Sequence, residues 1–347
     1  MDRETVSKWR GFNLLGMLFS ETSAYYTRYG EDFCEEDFKL ISELGFNFVR
    51  IPLSYRIWGS VDDPFFIDKE KLSKLDNAVE YADKYNLHIC IAKHRAPGYC
   101  VNSDEKEEER LNLWHDEVAL SAFKHHFGTI AERYTKIPAD KLSYNIINEP
   151  SWDVRGYEYS IVCRTVIDEI RSFDIDDRYF MIDGLNWGRD PHFQMLRDKD
   201  KNIIYSCRGY DPKNLTHFGF NSEDMKRYKK QPVWPEDNLI LIGGGRDYTY
   251  GEKELKRDID LWGQVGKLFD VPIMCGEFGA YKKAPHDVVL RWMEDLLINF
   301  KRNKIGWALW NLSGEFGVFD SNRTDITYEK MYGHSVDRKM LDLLMKY

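Results

Sequence analysis

No run of apolar residues in this 347-residue chain approaches the ~20 needed for a membrane-spanning helix, which argues against a membrane partner. Basic residues are outnumbered, 49 Lys and Arg against 58 Asp and Glu, for a formal net charge of −9. An acidic chain without basic stripes is a poor match for a polyanion, so nucleic acid is not expected as a partner. Cysteine is sparse. Cys34, Cys90, Cys100, Cys163, Cys207 and Cys275 form no C-x-x-C pair, and Cys90, Cys207 and Cys275 fall inside strand-like apolar runs. Buried free thiols fit that pattern better than a disulfide framework or a zinc site. No glycine-rich phosphate loop follows an early strand, because Gly243-Gly244-Gly245 comes late and lacks the G-x-G-x-x-G spacing. His115-Asp116-Glu117 and His125-His126 have the composition of metal ligands but no H-E-x-x-H spacing. Both lie on a predicted outer helix, so a solvated face is expected and no metal ligand is assigned. The charge run at 104–110 is likewise expected to be solvated. The chain opens Met1-Asp2-Arg3-Glu4, with no basic start, long apolar core and cleavage site of a signal peptide. A cytoplasmic protein is expected, or a secreted one whose leader has been removed.

Present instead is a regular alternation. Strand-like runs at 11–18, 46–51, 87–92, 142–147, 179–183, 202–207, 271–275 and 305–310 alternate with helical patterns at 35–44, 68–86, 115–134, 157–173, 252–269, 285–303 and 337–346. Gly45 stands where a helix C-terminus needs a left-handed residue. Eight such units without a linker predict an α/β fold of one domain over residues 1–347, a closed (β/α)8 TIM barrel with its helices outside. Two long excursions, 96–113 and 208–251, follow predicted strands and would rise as cleft walls on the active face.

In a parallel barrel the chemistry gathers at the carboxyl ends of strands. The second predicted strand ends in Arg50, the third in His94 and the fourth in Asn148 and Glu149. Arg208 and Tyr210 lie beyond the sixth, Glu277 at the seventh and Trp310 at the eighth. Each alone has a dull explanation: a structural ion pair, a satisfied histidine, a core tryptophan. Their joint placement at one mouth is the stronger signal. Two glutamates on facing strands can approach to about 5 Å, the separation used by retaining glycosidases, where one carboxyl is protonated and the other attacks. Arg50 could supply the cation beside the attacking carboxylate, and Tyr210 a hydroxyl bonded to it. Asn148 could meet a sugar 2-hydroxyl, and Trp310 could stack beneath the ring. The ten Trp and 21 Tyr exceed what the core obviously needs. Among them, Trp187 and Trp234 follow strands on the active side and are expected as sugar platforms or as barrel packing.

Gly11-Phe12-Asn13, Phe48-Val49-Arg50-Ile51-Pro52, His94-x-x-Pro97-Gly98, Asn148-Glu149-Pro150, Gly276-Glu277-Phe278-Gly279 and Trp307-Ala308-Leu309-Trp310 occur in that order. Over nearly its whole length the sequence resembles glycoside hydrolase family 5, the cellulase-like retaining β-glycanases. The resemblance implies Glu149 as acid/base, Glu277 as nucleophile, and Arg50, His94, Asn148, Tyr210 and Trp310 as supporting residues. It implies no metal and no other cofactor. One position departs: the family usually has a histidine two residues before the tyrosine, and this chain has Arg208. Arginine is larger and always cationic, so it changes the shape of the substrate-binding site. The expected substrate is a β-linked glucan or gluco-oligosaccharide, cleaved as by an endo-β-1,4-glucanase. A mannanase, a xyloglucanase and an exo-glucosidase share the scaffold, and a barrel that binds glycans without cleaving them is the rival from another class. A monomer is the expectation for oligomeric state.

Overall fold

The computed structural model describes residues 2–19, 32–101, 109–173, 178–195, 202–220, 225–236, 238–242 and 246–347. Eight parallel strands form the central sheet: β1 Arg10–Asn13, β2 Phe48–Ser54, β3 His88–Ala96, β4 Leu142–Asn145, β5 Tyr179–Asp183, β6 Ile203–Gly209, β7 Ile273–Phe278 and β8 Ile305–Leu309. Each pairs with its neighbour in sequence, and β8 pairs with β1, so the sheet closes into a TIM barrel. Outside lie α1 Glu35–Glu43, α2 Lys74–Lys84, α3 Glu117–Arg133, α4 Gly156–Phe173, the single turn α5 Leu185–Gly188, α6 Glu252–Phe269, α7 His286–Asn303 and α8 Arg338–Lys346. Their apolar stripes and the outward faces of the strands build one large core, as amphipathic helices on a barrel require.

Inside the barrel the alternation of strand side chains sorts residues by height. Phe48, Cys90, Met181, Ile204, Met274 and Ala308 fill the lower interior with Val6 and Trp9, which come from the chain entering below. Two residues further along β2 and β5, and at the end of β4, the interior turns polar, with Arg50, Asp183 and Asn145 all fully buried.

Several elements depart from their expected limits for identifiable reasons. The first strand stops at Asn13, because Leu15, Leu18 and Phe19 turn over the mouth and pack with Trp310. β2 runs through Pro52 to Ser54. The Arg50 carbonyl and Ser54 N–H both bond to the β1 side, at Leu14 and Met17, so position 52 faces that side beyond the end of β1 and needs no ladder donor. His126 is not solvated: it is buried, its Nδ1 accepting from Trp58 Nε1 at 3.0 Å and its other nitrogen meeting the Pro64 carbonyl at 2.8 Å. Its neighbours His115 and His125 are exposed as expected. Of the charge run, only Glu109 and Arg110 lie within the described residues. The Glu109 side chain is 5% exposed and accepts from Tyr55, Arg56 and the Gly98 N–H. The hairpin Glu329–Met331 and His334–Val336 was not expected; Tyr332 (φ 51°) and Gly333 (φ 86°) supply the two left-handed residues of its turn. A second hairpin, Asn238–Ile242 with Arg246–Tyr250, lies in the 208–251 excursion, and Gly243-Gly244-Gly245 falls outside the described residues. The cysteines are all free, and only Cys34 is exposed.

The β1–β2 ladder leaves no room for a side chain at Gly11, where a Cβ would sit 1.6 Å from the Phe48 carbonyl oxygen. Gly11→Ala should therefore destabilise the barrel by about 3 kcal/mol or more, measured by urea denaturation; an unchanged midpoint would contradict the strand packing described.

Candidate active site

Two backbone irregularities deliver the facing carboxyls. Met274 points into the lower barrel, and strict alternation would aim Gly276 inward and Glu277 outward. A bulge between Cys275 and Glu277 corrects the phase: Cys275 pairs with Cys207, and Glu277 with the next residue, Arg208. The bulge is held by Asn13 Nδ2, which donates to the Gly276 carbonyl at 3.0 Å, and by Cys275 Sγ, 3.2 Å from the Glu277 carbonyl. On the other side, Glu149 has φ 48°, a left-handed conformation that costs a non-glycine residue on the order of 1–3 kcal/mol. Its backbone is clamped at both ends. The Glu149 N–H donates to Asp183 Oδ2 at 2.9 Å, and its carbonyl accepts from the Tyr99 hydroxyl at 2.6 Å.

The side chains meet in a buried network of charge. Arg50 Nη1 donates to Glu277 Oε1 at 2.6 Å and to Asn13 at 2.9 Å, while Nε and Nη2 hold Asn145 Oδ1 and Nη2 reaches Asn148 Oδ1 at 2.8 Å. Tyr210 donates to the other oxygen, Glu277 Oε2, at 3.1 Å. Arg208 spans the gap: Nε donates to Glu149 Oε1 at 3.0 Å, and Nη2 lies 3.5 Å from Glu277 Oε1. One guanidinium thus touches both carboxyls, which face each other across no more than its own width and two contacts. Burial, and then the charge of Glu277, push Glu149 up to about 7 against the pull of Arg208. Burial first, and Glu277 next, hold the Tyr210 phenol well above its ordinary value, so it remains a donor. His94 is held well below its ordinary value by burial and then by Arg95, Arg50 and Arg208, so its ring is neutral.

Arg50, Asn148, Glu149, Arg208, Tyr210 and Glu277 are therefore brought into one cluster. His94 stacks on Trp310 with ring centroids 5.7 Å apart at the same mouth, and its Nδ1 is buried without a partner. Trp187 sits half-buried on the turn after β5, its N–H bonded to the Pro150 carbonyl beside Glu149. Trp234 is elsewhere. It is 3% exposed, its Nε1 donates to Asp295 on α7 at 2.7 Å, and its carbonyl accepts from Arg291, so no ring face is left for a sugar. Sequence reasoning missed Asn13, Asn145, Asp183 and Tyr99. Asp183 ends β5, so the rule that singled out Arg50 and Glu149 would have found it; the others show only in the fold.

The model of the cellulase family, glycosyl hydrolase family 5, matches residues 3–316. The chain belongs to glycosyl hydrolase family 5. Endoglucanase C of Acetivibrio thermocellus is 25% identical over 343 residues, covering 93% of this chain and 97% of its own length. A crystal structure of a glycoside hydrolase superposes with a TM-score of 0.87 at 31% identity, over 98% of this chain and 99% of that one. Endoglucanase Cel5A of Thermotoga maritima shares the fold, with a TM-score of 0.78 at 23% identity over 99% of this chain. As a cellulase-like O-glycosyl hydrolase of family 5, the chain needs one carboxyl that gives a proton and one that attacks carbon. Glu149, raised by its surroundings, suits the first. Glu277, bonded through both oxygens by Arg50 and Tyr210, suits the second.

Because the acid must carry its proton before bond cleavage, activity is lost as pH rises through the Glu149 value. kcat/KM on an unactivated β-glycan should fall above pH about 7. A profile flat to pH 9 would contradict that assignment.

Proposed function

We propose that this chain is a retaining endo-β-glucanase acting on β-linked glucans or gluco-oligosaccharides by double displacement. The observation that carries the reading is the pair of carboxyls at one mouth, bridged by Arg208, of which only Glu277 is also gripped by Arg50 and Tyr210. In the first step a Glu277 oxygen bonds to the anomeric carbon while the glycosidic bond breaks, and Glu149 passes its proton to the departing oxygen. In the second, Glu149, now a carboxylate, takes a proton from water as that water attacks the same carbon and Glu277 leaves. Two inversions restore the β configuration. Asn148 Nδ2 is buried without a protein partner, its oxygen being committed to both arginines, so it is a donor available to a 2-hydroxyl. The stacked Trp310 supplies an apolar floor. The endoglucanases among the relatives support a glucan over other β-glycans.

Purified protein should release reducing sugar from lichenan or carboxymethylcellulose, with the β anomer forming first from cello-oligosaccharides by NMR. Glu149→Ala should lower kcat/KM on unactivated substrates by about 10²–10⁴, and azide should partly restore kcat on a substrate with a leaving group that needs no proton, giving a β-glycosyl azide. Glu277→Ala should bind cello-oligosaccharides without cleaving them. An α product, or no reducing sugar from any β-glucan when mannan and xylan are run as comparators, would overturn the reading.

A further inference from the structure

Arg208 stands where the family resemblance leads one to expect histidine, and the surrounding structure is fitted to it. All five N–H donors of its guanidinium are engaged: Nε on Glu149, Nη1 on Ser206 Oγ at 2.9 Å and the Cys207 carbonyl at 3.1 Å, Nη2 on Asn148 at 2.7 Å and on Asp183. Its side chain is 2% exposed and that of Asp183 is not exposed at all. A buried guanidinium is tolerated only with such partners. Two glycines make its space. A Cβ at Gly188 would sit 2.5 Å from Arg208 Cγ, and one at Gly276 would sit 2.8 Å from Nη1. Asp183 is shared, binding both Arg208 and the Glu149 N–H.

We infer that Arg208, tethered by Asp183, is a positioning residue that orients the acid/base carboxyl so that its proton resides on Oε2 and faces the glycosidic oxygen. The geometry fixes which carboxyl oxygen accepts from the guanidinium. Guanidinium can only donate, so the oxygen it binds, Oε1, must act as acceptor, and the proton of the neutral acid is left to Oε2. A histidine could donate or accept and would leave that choice open. The charged and titratable groups facing Glu149 are Arg50 from β2, Asp183 from β5, Arg208 and Tyr210 at the end of β6, and Glu277 from β7; Tyr99 holds only its carbonyl. Arg208 is the cation in direct contact with the Glu149 carboxyl, so its charge also limits how far Glu277 raises the acid.

This inference rests on the double-displacement reading above, and leaving-group dependence separates the two. Phenyl β-cellobioside needs a proton on its departing oxygen, whereas 2,4-dinitrophenyl β-cellobioside does not. For Arg208→Gln, kcat/KM should fall at least tenfold further on the first than on the second, up to the factor of about 10²–10⁴ that acid catalysis supplies. The alkaline midpoint on the first substrate should rise by about one pH unit, because a cation that favours the ionised carboxyl has gone. Arg208→Lys keeps the charge without the fork, so it should lose the rate while holding the midpoint. Asp183→Asn should show the same substrate selectivity, and serves if Arg208→Gln loses its native circular dichroism or melting temperature. Equal losses on both glycosides with an unmoved midpoint would make Arg208 merely structural and overturn the proposal. Release of the α anomer from either glycoside by the unmutated enzyme would instead remove the double-displacement reading, and this inference with it.

Discussion

Buried charge at the carboxyl end of the barrel is the constraint around which the rest is arranged. Arg50 and Arg208 lie among Glu149, Asp183 and Glu277 with almost no access to water. Removing such groups from solvent costs several kcal/mol per ion, so each must find partners of opposite sign and complete its hydrogen bonds. The polar layer meets that demand with residues from β1, β2, β4, β5, β6 and β7, and no smaller piece of the chain could do so. The result is asymmetric. Glu277 has an arginine and a tyrosine on its two oxygens, while Glu149 has one arginine and a neighbouring carboxylate. That difference assigns opposite tasks to chemically identical side chains.

The scaffold accepts local cost to hold the asymmetry. Glu149 adopts a left-handed backbone and β7 breaks its alternation, both of them at the reacting carboxyls and both secured by side chains from other strands. The regular lower interior, filled by Phe48, Met181, Ile204 and Met274, carries no such features. Strain concentrated at a site and packing regularity beneath it are what a rigid platform for chemistry needs.

Much of this was readable from the residues in order. Apolar periodicity and strand-ending signals located eight units, and asking what stands at each strand tip brought out Arg50, His94, Glu149, Arg208 and Glu277. Position along the chain is a poor guide to the direction in which a side chain points. Trp234 follows a strand yet is buried against α7, because Asp295 offers its indole nitrogen a partner there. His126 follows the exposed His125 on one helix yet faces Trp58, since adjacent helical residues point about 100° apart. Asp183 stands at a strand tip as Arg50 does, and the two groups it binds set its role.

By itself the sequence determined the class of fold, because hydrophobic spacing encodes which face of each element is buried, and it determined the chemical types available at the mouth. Only tertiary structure decided that Glu277 turns inward, since the Gly276 bulge depends on Asn13 from a strand more than 260 residues away. Tertiary structure alone likewise decided that Arg208 binds the acid instead of solvent. Its five partners come from β5, β6 and the turn after β4, and the room it occupies is left by glycines on α5 and β7. Hydrogen bonds of that kind join residues remote in the chain, so no local pattern can carry them.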